Sequence, residues 1–130
     1  MEMLSDHPVF ATIATADLAR ARAFYEETLG FSIVTEDQVG GVYYRSGTTR
    51  FYLYASQFAG HAQHTLASWE VDDIASVVDE LEARGVVFEK YDLPGLKTDE
   101  RGVADLGEMK AAWFKDPDGN ILNVGQAPTS

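Results

Sequence analysis

The chain has 130 residues, 45% of them apolar and 24% charged, with no cysteine and a formal net charge of −11; it reads as one soluble domain (1–130) with room for its own core, without disulfides, thiolate metal sites or thiol nucleophiles. The 21 acids against 10 bases argue against nucleic acid and anionic membrane surfaces as partners and favour cationic ones. No run is long enough to cross a bilayer, and the start lacks a basic-then-apolar leader, so a cytoplasmic location is expected.

Val9 to Ala14 reads as a short strand, and Asp17 as the N-cap of a helix whose apolar face is Leu18, Ala21, Phe24, Tyr25 and Leu29. The helix should run to about Thr28 and stop at Gly30. Three strands follow, Phe31 to Thr35, Val42 to Arg45 and Arg50 to Ala55, with turns at Gln38 to Gly41 and Ser46-Gly47-Thr48. After a loop from Ser56 to Gln63 the pattern returns. His64 to Val71 is a strand, Asp73 a second N-cap, Ile74, Val77, Val78 and Leu81 a helical face, and Gly85 its stop. Val86 to Tyr91 reads as a strand, Asp92 to Glu108 as a long charged loop, and Lys110 to Lys115 and Ile121 to Gly125 as the closing strands. Between those two, Asp116-Pro117-Asp118-Gly119-Asn120 has the residues of a tight hairpin turn. The ends, Met1 to Asp6 and Ala127 to Ser130, read as short tails.

The halves superpose as sequences. Asp17-Leu18 matches Asp73-Ile74 at an offset of 56, and Gly30-Phe31 matches Gly85-Val86 at 55. Each half is then a β-α-β-β-β module, the first over about 8–55 and the second over about 64–126.

These residues, with Ala23-Phe24-Tyr25, Leu29-Gly30-Phe31 and Lys115-Asp116-Pro117-Asp118-Gly119-Asn120, resemble the vicinal oxygen chelate superfamily of glyoxalases, bleomycin-resistance proteins and extradiol dioxygenases. The resemblance spans roughly Pro8 to Gln126. It implies an α+β fold in which two βαβββ modules curl into a half-open barrel around a central cavity. In the metalloenzymes of that family, His, Gln or Glu from the first and last strand of each module hold a divalent ion. The matching positions here are Phe10, Leu53 (or Tyr52, one register away), Leu66 and Asn123, none of them a good ligand. Residues 8–16, 38–60 and 119–130 contain no Asp, Glu or His in any register. No metal or other cofactor is therefore expected. His61 and His64 form a His-x-x-His pair that lacks a third ligand unless Asp99, Glu100, Asp105 or Glu108 folds over it.

Period-two alternation turns Leu66, His64 and Ser68 toward the barrel and Thr65, Ala67, Trp69 and Val71 toward the helices; Phe10 and Thr12 point inward, and Val9, Ala11 and Ile13 outward. The cavity is expected to be walled by Phe10, Leu53, Leu66 and Trp113, with polar points at Thr12, Ser68, Asn123 and His64; the other reading is a barrel filled by its own side chains. Tyr43, Tyr44, Tyr52 and Tyr54 are either further wall or core. No catalytic residue is assigned. The resemblance points to a metal-free protein of the bleomycin-resistance kind, a homodimer that sequesters an antibiotic or another aromatic small molecule, a cationic one being favoured by the net charge. The alternatives are a glyoxalase-like lyase, isomerase or dioxygenase with an atypical site near His61 and His64, or a ligand-free regulatory dimer.

Overall fold

Both helices begin where the sequence places an aspartate. In the computed structural model, which describes residues 2–127, the Asp17 carboxylate accepts from the Arg20 backbone N–H at 3.1 Å and opens α1 (Leu18–Ala23). Asp73 does the same for Ser76 and opens α2 (Ile74–Ala83). An N-cap of this kind satisfies one of the donors a helix leaves unpaired. Beyond Ala23 the first helix widens into a π-helical turn over Phe24–Thr28 and stops at Gly30, whose φ of +83° few other residues adopt. The expected tails fall partly on residues 1 and 128–130, outside the described residues; within them, Leu4–Asp6 forms a 3-10 turn.

The first sheet consists of β1 (Thr12–Thr15), β2 (Ser32–Glu36), β3 (Val42–Ser46) and β4 (Thr49–Ala55), in the order β1-β4-β3-β2 with β1 parallel to β4. The second holds β5 (Thr65–Val71), β8 (Val103–Asp105), β9 (Lys110–Lys115) and β10 (Ile121–Gln126), in the order β5-β10-β9-β8 with β5 parallel to β10. The mixed α+β architecture is the expected one.

Three local expectations change. Val9 lies outside β1 and is 91% exposed, so it packs against nothing on the helix side. Residues 86–91 form no strand: Phe88 makes a single bridge to Phe114 and is buried, while Val87 points to solvent. The stretch expected as loop instead contains a hairpin, β6 (Asp92–Leu93) with β7 (Leu96–Lys97), and then β8. Asp99 organises that second turn by accepting from the N–H groups of Arg101 and Val103.

One core serves both modules. Ile13, Tyr25, Tyr44, Phe51 and Leu53 from the first meet Ile74, Val78, Phe114, Leu122 and Val124 from the second. Trp69 of β5 sits on the seam, stacked on Phe31 at 5.7 Å and edge-on to Phe51 at 6.0 Å, with its indole N–H donating to Ser46 Oγ at 3.0 Å. These are the helix-side faces of both sheets, so each sheet turns its other face away from the shared core.

The turn between β9 and β10 locks the modules together. Asp118 Oδ1 accepts from the Ala16 N–H at 2.8 Å and from Arg20 at 3.2 Å, and Asn120 donates to the Ala14 carbonyl at 2.8 Å. Behind them Asp116 receives the Tyr25 hydroxyl at 2.7 Å. Gly60 closes over this turn with φ +77°, and a Cβ there would collide with the Asp118 carbonyl. Gly60→Ala is expected to cost about 2–3 kcal/mol, the sum of left-handed strain and backbone displacement. The shift of the urea midpoint measures it; a change below about 0.5 kcal/mol, the range of a neutral surface substitution, would contradict this close approach.

Candidate functional site

On the first sheet the pairing register places Thr12, Tyr52, Tyr43 and Thr35 in one row across β1, β4, β3 and β2. This row belongs to the outer face, because its neighbours Ile13, Leu53 and Val42 are the ones buried in the core. Tyr43 and Tyr52 have ring centroids 4.5 Å apart, and Tyr52 and Tyr54 lie 5.8 Å apart at an interplanar angle of 6°. Phe10 meets the edge of Tyr43 at 5.8 Å. The result is an aromatic ladder across the sheet.

At one end of the ladder, Tyr52 donates its hydroxyl to Asp37, which also accepts from the N–H groups of Gly41 at 2.7 Å and Val39 at 3.1 Å. The Tyr52 hydrogen bond holds the Asp37 carboxyl below the usual carboxylate range, and Asp37 in turn pushes the phenol up to about 12. Gly41 makes room for this contact, since a Cβ would run into the Tyr52 ring and hydroxyl. Tyr52 is thereby a fixed, protonated ring.

On the second sheet Ser68, Asn123 and Trp113 form the corresponding row across β5, β10 and β9. Tyr91 packs edge-on against Trp113 at 5.7 Å, and the Trp113 indole N–H donates to Thr65 Oγ1 at 3.2 Å. A bulge in β5 opposite Ile121 and Leu122 explains that contact. It pairs Thr65 with Ile121 and leaves Leu66 unpaired, so Thr65 joins the outer face instead of the helix side to which strict alternation assigns it.

The expected site residues are therefore divided. Phe10 and Thr12 lie on the outer face of the first sheet, and Ser68, Asn123 and Trp113 on that of the second. Leu66 is half-buried at the bulge. Leu53 is corrected: it is fully buried among Ile13, Val42 and the other core residues, and Tyr52 and Tyr54 present themselves in its place. His64 is exposed, its Nδ1 3.1 Å from the carbonyl of the next residue, and His61 is exposed as well. Among the described residues, Phe10 and Ser68 line one cavity, about 200 Å³ at the seam beside Ala11, Ser46 and Trp69. The faces that carry these residues point away from the common core.

The family's divalent ion does not fit these residues. The outward positions of β1, β4 and β10 offer Thr12, Tyr52, Tyr54 and Asn123, and among the described residues no three His, Cys, Asp or Glu side chains converge. What the two faces can do chemically is stack flat rings and make a few hydrogen bonds. Tyr43, Tyr52 and Tyr54 are the members that sequence reasoning left unassigned. The signal was the alternation of Phe51 and Leu53 with three polar-tipped residues, which fixes faces once Leu53 is recognised as core.

A sequence model of the Glyoxalase/Bleomycin resistance protein/Dioxygenase superfamily matches residues 6–124. No curated protein matches the sequence. Among solved structures, TnmS3, an antibiotic binding protein from Streptomyces sp. CB03234, superposes with a TM-score of 0.66 at 21% identity over 98% of this chain and 100% of that one. A glyoxalase family protein from Enterococcus faecalis gives 0.69 at 21% identity over 95% and 99%. A glyoxalase/bleomycin resistance protein/dioxygenase from Nocardioides gives 0.65 at 15% over 95% and 86%. At these identities the likeness is one of fold.

Proposed function

The chain belongs to the glyoxalase/bleomycin resistance protein/dioxygenase superfamily, and from that premise we propose that it is a cytoplasmic, metal-free binding protein that sequesters a flat aromatic small molecule, such as an antibiotic, without altering it. The observation that carries this reading is the make-up of the two outer faces: Phe10, Tyr43, Tyr52 and Tyr54 on one, Trp113 beside Ser68 and Asn123 on the other, with no convergent set of metal ligands among the described residues. Aromatic walls with a few neutral hydrogen-bonding groups suit ring systems better than they suit proton transfer. The antibiotic-binding relative of the same fold supports the reading by analogy.

Since one chain leaves both faces open, a homodimer is part of the proposal. The first-sheet face of one copy would close over the second-sheet face of the other, and Thr12, Tyr52, Asn123 and Trp113 would then line one pocket. His61 and His64 have no role in it.

Thermal unfolding with bleomycin-like, mitomycin-like and polycyclic quinone compounds tests the binding, alongside elemental analysis and light scattering. A melting temperature that climbs with ligand concentration, ligand recovered unchanged, no stoichiometric metal and a dimeric mass are expected. Trp113→Ala should weaken binding by about 1–3 kcal/mol through lost stacking. One equivalent of zinc, iron, nickel or manganese per chain, or conversion of the ligand, would overturn the reading.

A further inference from the structure

The chain has six arginines. Four are in ion pairs: Arg20 with Asp118, Arg22 with Glu26 and Glu36, Arg84 with Glu80, Arg101 with Asp79 and Glu82. Arg45 and Arg50 make no ion pair among the described residues, although acids outnumber bases twofold in the sequence. They stand directly opposite each other on the antiparallel pair β3–β4, a placement in which like charges repel.

Their surroundings hold that charge in place and do not neutralise it. The Arg50 guanidinium lies 4.6 Å from the centre of the Tyr43 ring and 5.2 Å from that of Phe10, so two aromatic faces fix it. Arg45 and Arg50 border an open depression of about 650 Å³, shared with His7, Phe10, Val34 and Thr49. Among the described residues no acid lines it, and His7, which does, pairs with Glu2. In a molecule of net charge −11, two guanidiniums without an ion pair among the described residues, one of them held on two aromatic rings, beside apolar and aromatic wall suit an anion. Guanidinium groups bind planar oxyanions through paired N–H donors, and Arg50 is already immobilised for it.

We propose that Arg45 and Arg50 form an anion subsite for an aromatic carboxylate, whose carboxylate bridges the two guanidiniums while its ring rests on Phe10 and Val34. The overall negative charge steers cations toward the molecule at long range, but within this depression the local field has the opposite sign, and contact chemistry decides the ligand. The inference deepens the proposed sequestration of aromatic molecules and rests on it for the ring, not for the anion. An isolated phosphate could satisfy the same guanidiniums, so the test separates the two.

Calorimetric titrations with 2-naphthoate, its neutral analogue 2-naphthamide and inorganic phosphate provide the test, on the full chain and on Arg45→Gln, Arg50→Gln and the double variant. Naphthoate should bind at least about tenfold more tightly than naphthamide, lose at least about tenfold in affinity in the double variant, and weaken between about 0.05 and 0.5 M salt. Phosphate should bind more weakly than naphthoate. Arg45→Gln should unfold at the same or a higher temperature than the natural chain, because a repulsion is removed, whereas Arg50→Gln also gives up its contacts with Tyr43 and Phe10. Equal binding of naphthoate and naphthamide, or naphthoate binding unchanged in the double variant, would overturn the subsite while leaving aromatic sequestration standing. Phosphate binding as tightly as naphthoate would overturn the aromatic part of the proposal. Arginine-dependent naphthoate binding together with a protein indifferent to all neutral aromatics would uphold the subsite and count against sequestration.

Discussion

Asp116→Ala is expected to destabilise the protein by about 3–5 kcal/mol, the scale for orphaning several buried donors at once. Asp116 is 5% exposed, and its carboxylate gathers four donors: the Tyr25 hydroxyl at 2.7 Å, the Asn120 side-chain amide at 2.9 Å, and the N–H groups of Asp118 at 3.0 Å and Asn120 at 2.9 Å. Alanine would leave all four facing an apolar methyl. Tyr25→Phe removes one donor and should cost about 1–2 kcal/mol. Burial raises the Asp116 carboxyl above its ordinary 3.8, opposed by the hydrogen bonds from Asn120 and Tyr25. A folded value raised in this way makes the group's stabilising share full below 3.8 and smaller as pH climbs through the folded value. The gap between the natural chain and Asp116→Asn should therefore be wider in acid than at neutrality. Urea denaturation at a series of pH values reads both quantities; a gap that widens with rising pH would mean that the hydrogen bonds outweigh burial, and an alanine cost under about 1 kcal/mol, no more than one ordinary hydrogen bond, would deny the turn its locking role.

That turn also shows what was legible in the sequence and what was not. Asp116-Pro117-Asp118-Gly119-Asn120 announces a hairpin through residues acting over a few positions, and Asp17, Gly30, Asp73 and Gly85 mark both helices in the same local way. Their spacing carried the repeat and the fold. That Asp118 caps Ala16 of the other module, over a hundred residues away in sequence, leaves no local trace. Facing was harder than fold. One bulge at Leu66 moved Thr65 to the outer face, and a single register step separated Leu53 from Tyr52, exchanging a core residue for a site residue. The unpaired state of Arg45 and Arg50 depends on where the acids lie in space, which a count of 21 to 10 does not contain. Residues 86–91 misled for the opposite reason: their strand-forming composition is real, but the contact with β9 is reduced to the bridge of Phe88 to Phe114 and the Glu89 N–H donating to the Trp113 carbonyl at 2.7 Å.

Trp69→Ala is expected to cost about 3 kcal/mol, the lower end of the range for large-to-small aromatic changes, because Trp69 is half-buried. Trp69 separates two cavities, about 170 Å³ of almost wholly apolar space by Leu29, Phe31 and Leu81 and about 200 Å³ by Phe10 and Ser68, and it lines both. Removing the indole joins them and breaks the contacts with Phe31 and Phe51 across the seam. Because the helix-side faces of both sheets meet there, the loss should also reduce cooperativity between the modules. A shallower dependence on urea or two resolved transitions would report it. Trp69→Phe keeps the ring contacts, loses the bond to Ser46 and should cost less, about 1–2 kcal/mol. The phenylalanine variant has a second use. The chain contains two tryptophans, so with Trp69 replaced the fluorescence comes from Trp113 alone, on the face proposed to hold the ligand. Quenching of that emission by an aromatic ligand would place the ring near the second sheet. Binding seen by calorimetry with unquenched Trp113 would place it on the first sheet, beside Tyr43 and Arg50. An alanine variant as stable as the natural chain would mean that the modules stand as independent units, and the docked turn alone would then hold them together.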